Sequence, residues 1–262
     1  MNDLKKLLEI MEQLRDPDSG CAWDIQQNFS TIAPYTIEEV YEVADAIDRE
    51  DYEGLKGELG DLLFQVVFHA QMAAEAGEFD FHDVARDISD KMLRRHPHVF
   101  GSEKARARGL QKGAWESIKA AERAAAAREG TAVSALDGVA QALPALKRAQ
   151  KLGKRAASVG FDWPDSQGVR AKIDEELAEL SAAECGGKQG DIEEEMGDLL
   201  FAIVNLARHL RIDPEHALRA ANRKFEDRFR HMESAALDEG IKLSDLDIEA
   251  LESRWQDAKR ST

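Results

Sequence analysis

The chain has only two cysteines, Cys21 and Cys185, in 262 residues, and they form no CxxC pair. That excludes a disulfide scaffold and a thiolate zinc site, and it points to a reducing compartment. Only 6 prolines interrupt the chain, and aromatic residues make up 6%. No apolar run approaches the roughly 20 residues that a bilayer span needs. The stretch Met1 to Leu14 alternates charge with Leu and Ile, as an amphipathic helix does, and has no signal-peptide apolar core. A cytoplasmic protein without a membrane partner is expected.

Charge is unbalanced, with 51 acidic residues against 35 basic ones. The formal net charge is −16, so the surface as a whole repels nucleic acid and anionic lipid, and no stable nucleic-acid binding is expected. An anionic small molecule remains possible where cations or a bound metal reverse the local field.

What is present favours helix. Hydrophobic residues make up 43% and charged residues 33%, and Ala, Glu, Leu, Lys and Arg dominate. Leu55, Leu59, Leu62, Val66 and Ala70 recur at helical spacing, as do Leu199, Ile203, Leu206 and Leu210. No stretch sustains strand alternation, so the fold class is all-α. The expected organisation is an N-terminal module over 1–120, a linker over 121–143 and a C-terminal module over 144–262.

The halves repeat one another. Glu58-Leu-Gly-Asp-Leu-Leu-Phe64 returns 137 residues later (195−58) as Glu195-Met-Gly-Asp-Leu-Leu-Phe201. The same shift lays Glu39 and Glu42 on Glu176 and Glu179, so each half reads ExxE and then ExxD. Lys91 and Arg95 are echoed by Lys224 and Arg228, and Trp115 with Lys119 by Trp255 with Lys259. Gly60 and Gly197 recur inside the helical pattern, which suggests close backbone approach there or a neutral inheritance from the duplication.

A lone ExxE pair in an acidic helical protein usually faces water. A second pair at fixed spacing changes that reading, because residues three apart share a helix face. Ile173, Leu177 and Leu180 mark the apolar stripe of the first helix, with Glu176 and Glu179 beside it. If the two helices pack antiparallel, Glu176, Glu179, Glu195 and Asp198 converge and repel one another unless a cation neutralises them. All-oxygen ligands suit Mg²⁺ or Mn²⁺, and a di-iron bundle would place His at the i+3 position. Lys224 and Arg228 lie one turn apart and can grip one phosphate, and Trp255 offers a stacking face. No P-loop is present.

These residues closely resemble the MazG family of nucleoside triphosphate pyrophosphohydrolases. The resembling phrases are Gly20-Cys-Ala-Trp-Asp24, Glu58 to Phe64, Arg94-Arg-His-Pro-His-Val-Phe100, Val159-Gly-Phe-Asp-Trp163 and Glu193 to Phe201. The resemblance implies helical modules that form four-helix bundles through dimerisation. It also implies Mg²⁺-dependent hydrolysis of NTPs and dNTPs to the monophosphate and pyrophosphate, by water attack at the α-phosphorus. By the same resemblance, Glu176, Glu179, Glu195 and Asp198 are the metal ligands, while Lys172, Lys188, Lys224, Arg228, Trp255, Lys259 and Lys119 face the substrate. The family's Lys before the Glu-Glu-Glu run is Asp191 here, and Lys188 stands three residues earlier.

The resemblance also implies catalysis by the C-terminal half. Under the 137-residue shift Lys172 falls on Tyr35 and Lys188 on Asp51, so the N-terminal copy lacks those cations. Its residues Glu39, Glu42, Glu58, Asp61, Lys91 and Arg95 form a second, weaker or inactive site. Competing readings are a non-catalytic nucleotide-sensing or partner-binding scaffold, and a base-restricted dNTP or phosphoribosyl-ATP pyrophosphatase.

Overall fold

The structure is a computed structural model and describes residues 3–109, 118–119, 121–122 and 134–261. The chain divides into two compact units, Met1–Ala126 and Ala127–Thr262. Among the described residues all regular structure is helical. The first unit holds α1 (Asp3–Leu14), α2 (Ala22–Gln26), α3 (Phe29–Asp48), α4 (Tyr52–Glu75), α5 (Phe81–Arg95), α6 (Pro97–Phe100) and α7 (Glu103–Arg108). The second holds α8 (Ala145–Ala157), α9 (Ser166–Gly186), α10 (Gln189–His209), α11 (Pro214–Asp238) and α12 (Ile248–Ser261), with a 3₁₀ turn at Leu243–Asp245. Trp115 and most of the stretch expected as a linker lie outside the described residues.

Local sequence sets the helix starts. Asn28 and Thr31 form a reciprocal capping box before α3, and Asp80 and Asp83 do the same before α5. Asp51, Asp165 and Asp213 accept from backbone N–H groups in the first turns of α4, α9 and α11, and Pro214 follows Asp213 where a missing N–H costs nothing. At the other end, α4 is followed by Gly77 at φ 73°, whereas α10 is followed by Arg211 at φ 61°. A side chain in this left-handed region costs roughly 1–2 kcal/mol.

Each unit is built on one long helical hairpin, α3 on α4 and α9 on α10, with α1 laid against α4 and α8 against α10. In the first unit Met11, Ile32, Val67, Phe68 and Met72 form the core, and Leu7, Leu8, Phe64 and Phe81 pack on it. In the second unit Val169, Leu180, Leu199, Val204 and Met232 are buried together with the polar Gln150, Glu176 and Asn205.

The apolar stripes fall differently from the sequence expectation. Leu59 and Val66 are exposed on α4, as are Ile203 and Leu210 on α10, while Gln65, Val67 and Phe68 are buried. The C-terminal halves of both helices are apolar on most sides, so periodicity alone does not select the face that meets the partner helix there. On α9 the inward line runs through Val169, Ile173, Glu176 and Leu180, and Leu177 is exposed. Glu176 therefore lies within the buried stripe and not beside it. Gly60 and Gly197 also differ from the close-approach reading, since a Cβ at either would meet nothing within 4 Å.

One ion pair ties α1 to α4. Arg15, with a side chain 8% exposed, donates to both oxygens of Glu75 at 2.6–3.1 Å and to the carbonyl of Asp24 at 2.5 Å. The hydrogen bond from Arg15 holds the Glu75 carboxyl below its ordinary value of 4.5. A depressed folded value means that the pair stabilises the fold above the ordinary glutamate range, and that this stability is lost as pH falls through the lowered value. Glu75→Gln should cost about 1–3 kcal/mol at neutral pH and flatten the acid limb of stability. Urea unfolding at pH 7 and pH 4 checks both effects.

Candidate functional site

Four carboxylates reach the seam of the α9–α10 hairpin because ExxE and ExxD each project two side chains from one helix face. Oxygens of Glu176, Glu179 and Glu195 lie within 4.8 Å of one another. Asp198 stands outside that group, yet its negative charge bears on Glu195. Burial, and then the charges of Glu179, Glu176, Asp198 and Glu194, push the Glu195 carboxyl above its ordinary range.

The central residue is Glu176, only 4% exposed. Its Oε1 pairs with Lys172 Nζ at 2.8 Å, one turn earlier on α9, and Lys172 also donates to Glu175 at 2.8 Å. Its Oε2 is buried and has no hydrogen-bond partner. An ionised oxygen left so is costly, and a hard divalent cation is the partner that suits a cluster of oxygens. The residues present therefore fit the implied metal.

The first unit repeats the arrangement with a different membership. Glu39, Glu58 and Asp61 converge within 4.8 Å, and Glu42, outside that trio, shares a hydrogen bond with Glu58. Burial followed by neighbouring carboxylates raises both Glu39 and Glu58. Tyr35 occupies the register of Lys172, so no lysine reaches in from that place.

The remaining candidates lie on other helices. Lys224 is exposed on α11, and the Arg228 guanidinium sits 6.0 Å from the Trp255 ring centroid on α12. Trp255 also packs on Phe225, with ring centroids 5.1 Å apart. Lys259 is exposed in the last turn of α12, and Lys119 is half-buried. Lys188 precedes α10 and leans toward Asp191 at 3.9 Å. In the first unit Lys91 is half-buried on α5, and Arg95 is gripped by Glu122 through two nitrogens, at 2.6 and 3.0 Å to Oε2. Thus Arg95, the counterpart of Arg228, already holds a carboxylate.

Sequence reasoning missed a polar network at the end of α10. Arg208 donates to Asn205 at 2.8 Å and to Asp162 at 2.9 Å, and His209 lies 3.0 Å from the same aspartate. Asp162 falls in the phrase Val159 to Trp163, so the signal was present without its partner.

The fold and the site define an all-α protein with a carboxylate cluster on each of two helical hairpins, one of them backed by a lysine. The chain belongs to the MazG nucleotide pyrophosphohydrolase domain family, whose profile matches residues 27–100 and 165–233. It is 53% identical over 262 residues to the nucleoside triphosphate pyrophosphohydrolase of Escherichia coli strain K12, covering 99% of this chain and 98% of that one. It is 46% identical over 255 residues to the nucleoside triphosphate pyrophosphohydrolase/pyrophosphatase MazG of Thermotoga maritima, covering 97% and 95%. No helix among the described residues is long and apolar enough to cross a membrane.

Proposed function

We propose that the chain hydrolyses nucleoside and deoxynucleoside triphosphates to the monophosphate and pyrophosphate, with Mg²⁺, at the second unit. The observation that carries this reading is the convergence of Glu176, Glu179 and Glu195 around an unpartnered, buried Glu176 oxygen. Glu176, Glu179, Glu195 and Asp198 hold the metal, or Mn²⁺ in its place. When bound, the metal supplies charge neutralisation at the phosphates and a more acidic water. Lys224 and Arg228 hold phosphate oxygens, and Trp255 and Lys259 border the nucleotide. Lys172 and Lys188 complete the positive lining.

In this reading the bond broken joins the α-phosphorus to the α–β bridging oxygen, and pyrophosphate leaves with that oxygen. Water attacks the α-phosphorus, its oxygen stays with the monophosphate, and its proton is released. The first-unit cluster is a retained and weaker site, because Tyr35 replaces a lysine and Arg95 already binds Glu122. The enzyme acts in the cytoplasm, and two copies associate through the apolar residues left exposed on each hairpin, Val40, Leu59, Leu200 and Ile203 among them.

Incubation with the eight common nucleotides and Mg²⁺, followed by anion-exchange separation, tests the reading. Monophosphate with pyrophosphate is expected, and recovery of intact nucleotide throughout would leave a binding scaffold instead. A metal bound only by the folded chain also raises its melting temperature, by the equivalent of about 2.7 kcal/mol at a hundredfold excess over the dissociation constant. Calorimetry of the chelator-treated chain with and without Mg²⁺ should show that rise, and Glu176→Gln should shrink it.

A further inference from the structure

We propose that the groove between α8 and the C-terminal end of α10 is a second anion site, built for a phosphate-class anion such as pyrophosphate. This site stands apart from the carboxylate cluster and does not depend on the reading above.

The groove encloses about 290 Å³ and is lined by Lys147, Gln150, Lys154, Arg208, Arg211, Ile212 and Asp213. Four cations face one carboxylate there, in a chain whose net charge is −16. Its size lies just under the roughly 300–1,000 Å³ of drug-sized ligand sites, which suits an anion of one or two phosphoryl groups better than a whole nucleotide. α8 carries five cations and no acid, and two of them, Lys147 and Lys154, line the groove.

A solvated basic helix would not explain the walls. The Arg208 side chain is 12% exposed and is fixed by Asn205 and Asp162. Gln150 is 5% exposed and donates to the Ile212 carbonyl at 3.1 Å, fixing the loop after α10. Lys147 pairs with Asp213, whereas Lys154 and Arg211 are exposed and make no ion pair among the described residues. Arg208 and Lys147 are already held by Asp162 and Asp213, so Lys154 and Arg211 are the two cations that the cavity offers to an oxyanion.

The duplicated unit supplies the control. The same groove between α1 and α4 encloses about 640 Å³ and is lined by Lys5, Glu9, Glu12, Glu75 and Asp80 among others. Lys5 and Lys147 lie 142 places apart, as do Glu12 and Lys154, and the 137-residue shift lays Gln71 on Arg208. One architecture therefore carries opposite charge in its two copies. The backbone is the same in both copies, left-handed at Gly77 after α4 and at Arg211 after α10, so only the second copy places a side chain there. An arginine held in a conformation that favours glycine, at the rim of a cationic cavity, is the strain expected where a side chain has work to do.

The test is isothermal titration of the full chain with pyrophosphate, and separately with inorganic phosphate, in EDTA at constant ionic strength. Without divalent metal, the carboxylate cluster cannot hold either anion. Wild type should bind at least one of them, with the tighter anion identifying the ligand. Lys154→Glu combined with Arg211→Gly should weaken binding at least about tenfold, while Lys224→Ala leaves it within about twofold. The double variant should melt no lower than wild type, since it alters an exposed lysine and relaxes a backbone. Absence of binding by wild type overturns the proposal, as does unchanged binding by the double variant. Loss of binding with Lys224→Ala alone would place the anion at the nucleotide site and overturn it equally.

Discussion

Glu176→Gln should lower pyrophosphate release from dNTPs by roughly a thousandfold, while Glu39→Gln should leave it within about threefold. The first figure corresponds to about 4 kcal/mol of lost transition-state stabilisation, within the several kcal/mol that a metal's charge supplies to phosphoryl chemistry. Glutamine keeps the shape of the side chain and removes the charge. Glu176 is the residue for this test because it is the buried member of its cluster, paired on one oxygen with Lys172 and unpartnered on the other. Its register mate Glu39 is half-buried among Asp61, Glu42 and Glu58 and has no lysine at the register of Lys172. Steady-state pyrophosphate assays on the two variants decide between the units. Loss with Glu39→Gln and retention with Glu176→Gln would reverse the assignment.

Phe68→Ala should destabilise the first unit by about 3–5 kcal/mol. Phe68 is 1% exposed, packs with Met11, Val67 and Met72, and carries Arg15 at 5.3 Å from its ring centroid. The register mate in the second unit is Asn205, buried but bonded to Arg208, with Gly153 at 3.5 Å from its side chain when a Cβ is added there. Asn205→Ala should cost about 1–3 kcal/mol, the penalty for an orphaned buried partner. Chemical denaturation of each variant, followed by Trp fluorescence, checks the contrast. Equal losses would mean that the two cores are not built differently.

That contrast explains how much was legible in the sequence. The all-α class and the carboxylate pairs follow from short-range spacing, so Glu176 and Glu195 stood out in the sequence. The direction of each buried face did not. In the C-terminal halves of α4 and α10 apolar residues surround the helix, and Val66 and Ile203 look no different in sequence from Val67 and Val204. Membership of each carboxylate trio was also hidden, because Asp61 joins one and Glu179 the other through side-chain placement at equal spacing. Contacts between distant segments left the weakest trace. Asp162 with Arg208, Arg95 with Glu122, and Lys147 with Asp213 are each separated by more than 20 residues, and no periodicity connects them.

The most direct measurement of the central claim is hydrolysis of a dNTP in ¹⁸O-labelled water with Mg²⁺, with mass analysis of both products. The account predicts pyrophosphate without label and a monophosphate carrying one labelled oxygen. Orthophosphate as the first product, or label in the pyrophosphate, would contradict it.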